Sequence, residues 1–378
     1  MRVLMFCSQF RPVIGGAERQ AELLARTLIG QGCHVEVLTV QQDPAHPLLE
    51  DAEGLRIHRF PMTDLTKRFP GVGGLGVPNL LIERVQLHRA VRRLIQDFDV
   101  FHAHIASPLV GFAQEVARAE GRPTICKIAC GGRGFDFLAL RRGSLLGQRI
   151  ERNLVEKVDR WIAISREVHE DLSKSGVPDH RVVTIPNGID VAAAATPRAR
   201  APARRFLCLG RLVKFDFESL LGAFQDLLAE APDAELRIAG GGDVEGLRER
   251  LARLPSGARS ISAVGFSPTA EEFAWADALI HPSRAEGMSN VLLEALAAGL
   301  PCAASDIEPN REVLGEAEAG LLFPLGNRAA LHEVMRALAS DGALSRRLVA
   351  AGHARVRAEY EIGVVAGRYR SLYRELVA

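Results

Sequence analysis

Ala278-Leu279-Ile280-His281-Pro282-Ser283-Arg284-Ala285-Glu286-Gly287-Met288-Ser289-Asn290-Val291-Leu292-Leu293-Glu294-Ala295 reads as strand, loop and helix in one short window. The apolar run Ala278-Leu279-Ile280 ends at His281-Pro282-Ser283, and a helix-forming run follows from about Ser289 to Ala298 before Gly299 and Pro301 stop it. First-turn amides of such a helix have no internal partner and lie at the positive end of its dipole, so Gly287, Met288, Ser289 and Asn290 can hold a diphosphate. Gly287 lets the backbone come close to it. Glu286 precedes the helix and Glu294 lies inside it, eight positions on, so the two do not form a simple pair on one helical face. Either they bracket a ligand, one near each end, or Glu286 is a cap and Glu294 a solvated surface residue. The spacing alone leaves both readings open.

Outward from this window, strand-like runs alternate with longer amphipathic segments, the pattern of parallel α/β architecture. In the first half the strands read Val3 to Cys7, His34 to Val40, Leu55 to Phe60, Val100 to His104, Thr124 to Ile128, Trp161 to Ile164 and Val182 to Ile185. A second series runs Phe206 to Leu209, Glu235 to Ala239, Ile261 to Val264, Ala278 to His281, Cys302 to Ala304 and Gly320 to Phe323. Between them Val191 to Arg205, rich in Ala, Pro and Arg, reads as a connector. The expectation is two Rossmann-like domains facing across a cleft, residues 1–190 and 206–361 joined by 191–205, with helical spacing again over 362–378. Ligands of such sheets collect beyond the carboxyl ends of the strands.

The chain has 378 residues, enough for two cores, and 47 basic against 46 acidic residues, which gives no electrostatic case for a nucleic-acid partner. No apolar run approaches the ~20 residues of a spanning helix, and Met1 to Cys7 reads as a strand, not a signal peptide. A cytoplasmic protein is expected, with peripheral contact at the inner face of a membrane left open. The glycine-rich loop Pro61 to Asn79, with Gly71, Gly73, Gly74 and Gly76, leads into a helix over Leu80 to Phe98. Its Arg84, His88, Arg89, Arg92 and Arg93 read as a solvated basic face or as one resting on anionic lipid. The six cysteines lie mostly in apolar runs and read as buried thiols; Cys126 and Cys130 lack neighbouring metal ligands. Asp97-Phe98-Asp99 precedes a strand, on the wrong side of the sheet for a cleft metal, and no catalytic metal is expected.

Other strand ends carry polar groups. Gly15-Gly16-Ala17-Glu18 follows the first strand and opens a helix, offering backbone to a phosphate or sugar, but lacks the third glycine of the dinucleotide fingerprint. In Val100 to His104 alternation puts His102 and His104 on one side, where either reaches a ligand or simply packs. Gly210-Arg211-Leu212-Val213-Lys214 follows the first strand of the second series, and Arg211 can offer two donors to a diphosphate. Gly240-Gly241-Gly242-Asp243 reads as a turn into a helix, and Lys127 to Asp136 as a polar loop after a strand.

The glutamates at 286 and 294, with their setting from Trp275-Ala276-Asp277-Ala278 to Ala297-Ala298-Gly299-Leu300-Pro301, resemble the retaining glycosyltransferases of family 4. That resemblance implies a GT-B fold, with the 362–378 helix packing back on the first, acceptor-side domain. It further implies transfer of a sugar from a nucleoside-diphosphate-sugar donor to an acceptor hydroxyl of a glycan, a lipid-linked intermediate or a small molecule, with no cofactor besides the donor substrate. Carried onto this chain, Glu286 contacts the transferred sugar and Glu294 the ribose. Gly15 and Gly16 face the donor phosphates, His104 and less firmly His102 approach the sugar, and Gly265 and Phe266 lie near the base. Pro186-Asn187-Gly188-Ile189-Asp190 matches a segment at the domain junction. Where the family has a lysine six residues after the arginine, this chain has Phe217, and Lys214 substitutes only if the loop is shorter. Two other readings remain: a nucleotide-sugar epimerase or hydrolase, and a binding module without turnover.

Overall fold

The computed structural model describes all of the chain except residues 13–14, 70–74, 144–145, 192–201, 255–259 and 317, and gives no account of the Thr66, Lys67 and Arg133 side chains. Gly71, Gly73 and Gly74 and most of the Val191 to Arg205 connector therefore lie outside the described residues. The chain divides into two compact units, Met1–Gly188 with Ile362–Ala378, and Ile189–Glu361.

The first unit holds β1 (Arg2–Cys7), β2 (His34–Val40), β3 (Leu49–Ala52), β4 (Leu55–Phe60), β5 (Val100–His104), β6 (Thr124–Lys127), β7 (Arg160–Ala163) and β8 (Val182–Thr184). They form one sheet in the order β3-β4-β2-β1-β5-β6-β7-β8, parallel except for β3 against β4. Because helices cover both faces, strands such as β1 are apolar almost throughout instead of alternating. One face packs Val3, Met5, Val35, Val37, Val100 and Ile125 against the Gly16–Gly30 helix and the C-terminal Ile362–Val377 helix. The latter contributes Ile362, Val365, Ala366, Tyr369, Leu372 and Tyr373, a stripe at helical spacing.

The second unit holds β9 (Arg205–Leu209), β10 (Glu235–Ala239), β11 (Ile261–Gly265), β12 (Ala278–His281), β13 (Cys302–Ser305) and β14 (Leu321–Phe323). Its order is β11-β10-β9-β12-β13-β14, all parallel. That is the doubly wound arrangement, in which strand order reverses between the first and fourth strands and ligands bind at the carboxyl ends there. The reversal falls between β9 and β12 here, and between β1 and β5 in the first unit.

Every strand expected from the sequence is present, with ends shifted by at most one residue. Two expectations are corrected. β3 was not anticipated: its turn to β4, Glu53-Gly54, takes φ of 55° and 84°, a hairpin turn whose usual Asn-Gly signal is absent. The stretch Pro61 to Asn79 is not all loop, since helices occupy Leu65–Arg68 and Gly76–Leu94, the latter passing into a 3₁₀ turn at Ile95–Asp97. Pro78 is tolerated because it stands in the first helical turn, where its missing N–H costs nothing, and Asn79 Oδ1 accepts from Leu65 N at 2.7 Å, tying the short helix to the long one. The helix after β12 is Asn290–Ala297, and its cap is Ser289.

Candidate active site

In the second unit the segment after β9 is stitched to the loop after β12. Gly210, at φ 145°, turns the chain so tightly that a Cβ would come 2.9 Å from the Phe215 ring. One 3₁₀ turn, Leu212–Lys214, follows. Asp216 N then donates to Pro282 O and Arg284 N to Lys214 O, both at 2.9 Å, while Phe215 and Ser283 form an antiparallel bridge. Phe217 already begins the next helix, Phe217–Glu230, so the connection is short and Lys214 falls at its inner edge. The result is Lys214 Nζ 2.6 Å from Glu286 Oε2.

Two further groups fix that carboxylate. Ser283, fully buried, donates its hydroxyl to Glu286 Oε1 at 2.7 Å. His281 Nε2 lies 3.3 Å from the same oxygen and 3.1 Å from Ser289 Oγ, its ring edge-on to Phe215 with centroids 5.7 Å apart. Ser289 Oγ also accepts from Leu292 N at 3.2 Å, capping the Asn290–Ala297 helix. Glu286 is therefore not the cap, which removes one bland reading of it. Its burial would raise the carboxyl pKa, but hydrogen bonding and charge from His281 and Lys214 outweigh this and hold it at about 2. At neutral pH Glu286 is an ionised acceptor with no proton to give.

Around this cluster Gly287, Met288 and Ser289 are buried, while Asn290 and Glu294 are half-buried on the helix they share. Arg211 stands exposed just before the 3₁₀ turn. At the end of β11, Gly265 adopts φ 74° and its carbonyl accepts from Gly240 N at 2.6 Å, and the next residue, Phe266, is 91 % exposed. Asp243 caps the Val244–Ala252 helix, so the triple glycine is the turn its sequence suggests. His281 and Ser283 were missed as functional candidates. Their signal was position: polar side chains at the carboxyl end of a strand beside the order reversal.

The other candidates belong to the first unit. Gly15 precedes and Gly16 opens the Gly16–Gly30 helix, with the Glu18 carboxylate folded back over Gly15. His104 ends β5, 4 % exposed, its ring stacked on His102 at 4.5 Å; His102 Nδ1 pairs with Tyr373 Oη at 2.8 Å. Burial, with the nearby Lys127 charge, holds His102 at about 3; burial, His102 and Lys127 hold His104 well below the ordinary histidine value. Both rings are neutral, and His104 Nε2 is buried with no hydrogen-bond partner.

The sequence pattern of the family described as Glycosyltransferase Family 4 matches residues 14–193, and that of Glycosyl transferases group 1 matches residues 203–341. The chain is 30 % identical over 394 residues to a phosphatidyl-myo-inositol mannosyltransferase of Mycobacterium leprae, covering 99 % of this chain and 96 % of that one. It is 27 % identical over 344 residues to a GDP-mannose-dependent alpha-mannosyltransferase of Mycobacterium tuberculosis, covering 86 % and 84 %. Among solved structures, Anabaena HepE in complex with UDP and glucose superposes with a TM-score of 0.75 at 16 % identity, over 99 % of this chain and 100 % of that one. At that identity the likeness carries the fold alone.

Proposed function

We propose, given that this chain belongs to glycosyltransferase family 4 and is a GT-B enzyme that transfers a sugar from a nucleotide-sugar donor, that it moves mannose from GDP-mannose, with retention, to a hydroxyl on a lipid-borne acceptor. The choice of mannose and of a lipid acceptor is supported by the two mannosyltransferase relatives. The observation that carries the site is the Lys214–Glu286 pair held at the strand-order reversal of the second unit.

In this reading the donor diphosphate lies on the first-turn amides of the Asn290–Ala297 helix, where the dipole favours negative charge. Arg211 and Lys214 stabilise the charge that grows on the departing phosphate. Lys214 has three donors and spends one on Glu286, leaving two for the diphosphate. Glu286, ionised and locked by Ser283 and His281, accepts from sugar hydroxyls, and Glu294 accepts from the ribose. Gly15 and Gly16 approach the phosphates, His104 the sugar, and Phe266 the base near Gly265. No side chain acts as covalent nucleophile; the leaving phosphate takes the acceptor proton on the face it departs from.

Contact with a membrane is supported by the Gly76–Leu94 helix, where Val77, Leu81 and Val85 recur every four residues and are 42 %, 55 % and 48 % exposed. Arg89 and Arg93 continue the same line.

The test is a donor screen against lipid and glycan acceptors with the anomeric configuration of the product read by NMR. GDP-mannose turnover to an α-linked product is expected. An inverted product, nucleotide release without acceptor, or epimerised sugar would overturn the reading. Lys214→Met should lower kcat by on the order of a hundredfold, the loss usual for one oxyanion-stabilising group.

A further inference from the structure

Strand register in the first unit lines up one row of side chains across the carboxyl end of the sheet. Cys7 pairs with His104, and His104 with Lys127, so the three stand side by side on one face, that of Met5 and the C-terminal helix. Lys127 is the last residue of β6 and 5 % exposed. Among the described residues its Nζ has no carboxylate at ion-pair distance and no hydrogen-bond acceptor. The two side chains beside it in the row supply no negative charge, and among the described residues the Glu18 carboxylate, close enough to act on Cys7, makes no ion pair with Lys127. Burial pushes the Cys7 thiol up, and His104 is neutral. Burial lowers Lys127 itself to about 8, so it remains mostly protonated at pH 7.

A largely buried ammonium without a counterion is destabilising, and such groups cluster where a ligand answers them. Two more features mark the same edge. His104 Nε2 is a buried polar atom without a partner. Ile105, whose N donates to Lys127 O at 2.9 Å, is a β-branched residue at φ 68°, a conformation that costs free energy. Lys127 is also one strand from the order reversal between β1 and β5, where ligands of this unit collect.

We propose that Lys127 holds an oxyanion carried by the acceptor, a phosphoryl or carboxylate group, and thereby selects anionic acceptors. The proposal rests on the reading of the chain as a sugar-transferring enzyme whose acceptor enters the first unit. It extends that reading by assigning a side chain to the acceptor's charge.

Two measurements on the full chain test it. Wild type and Lys127→Met are melted with GDP present throughout to fill the nucleotide site, in potassium chloride, phosphate or acetate at equal ionic strength. Phosphate, for a phosphoryl group, or acetate, for a carboxylate, should raise the wild-type Tm above the chloride value by more than it raises that of the variant. An equal rise in both proteins, or none in either, overturns the site. The variant alone should melt no lower than wild type, because it loses an unpaired buried charge. In transfer assays each acceptor is compared with its neutral counterpart, dephosphorylated or esterified. Wild type should favour the anionic form by about tenfold or more in kcat/KM, as a charge-assisted contact implies. Lys127→Met should lose that preference with donor KM unchanged, and Lys127→Arg should keep part of it. A preference that survives in Lys127→Met, or a raised donor KM in its place, overturns the proposal. Anion-dependent melting without transfer to any acceptor would sink the proposed function and leave the anion site standing; transfer with intact preference in Lys127→Met would sink the anion site alone.

Discussion

Glu286 owes its charge to its neighbours. Alone in its buried position the carboxyl would hold its proton; His281, Lys214 and Ser283 reverse that. The folded pKa lies below the unfolded one, so the pair contributes stability above the unfolded value and loses it as pH falls through the folded one. Wild type should therefore exceed Glu286→Gln by a pH-dependent increment complete at neutral pH, lost between about 4.5 and about 2. By linkage the increment is on the order of 3 kcal/mol. Urea denaturation of both proteins at pH 7 and pH 3 checks this: a constant difference would refute the pairing. Transfer by Glu286→Gln should also fall sharply in kcat, since a neutral amide cannot accept from sugar hydroxyls as a carboxylate does. Undiminished turnover would remove Glu286 from the mechanism.

The hairpin of β3 and β4 shows how turn chemistry can hide an element. Ala52 faces Leu55 across a two-residue turn, and both turn residues need positive φ. Gly54 meets that need at no steric cost, whereas Glu53 pays for its left-handed conformation. Glu53→Asn should therefore stabilise the protein by about 0.5–1 kcal/mol, because Asn tolerates that region. Glu53 is largely solvent-exposed and its contact with Arg26 is 3.6 Å, so little else is lost. An unchanged or lowered urea midpoint would contradict the argument. The Asn290–Ala297 helix presents the opposite case. Its Ser289 cap was visible as a serine before an apolar run, but the same hydroxyl also contacts His281, which no local pattern foretells.

The two compact units divide the chain unequally in sequence, because the last helix belongs with the first residues. Deleting Ile362 to Ala378 would strip Ile362, Val365, Ala366, Tyr369, Leu372 and Tyr373 from the first core and leave His102 without Tyr373. At about 1.5–3 kcal/mol for each large side chain the loss is on the order of 10 kcal/mol, comparable to the stability of a typical domain. The truncated chain should lose cooperative unfolding of the first unit, seen by calorimetry as a missing transition; a normal thermogram would show that the helix is dispensable. The strands and the doubly wound class were legible in the chain itself because each buried parallel strand is a short apolar run and each crossover a longer amphipathic one. So were Ser289 and the helix start, since capping and dipole effects act within a few residues, whereas spacing alone left Glu286 between ligand contact and cap. The Lys214–Glu286 contact, the roles of His281 and Ser283, and the row Cys7, His104, Lys127 were not. Those depend on which strands become neighbours, and parallel pairing joins residues far apart in the chain through register alone, which no short-range pattern encodes.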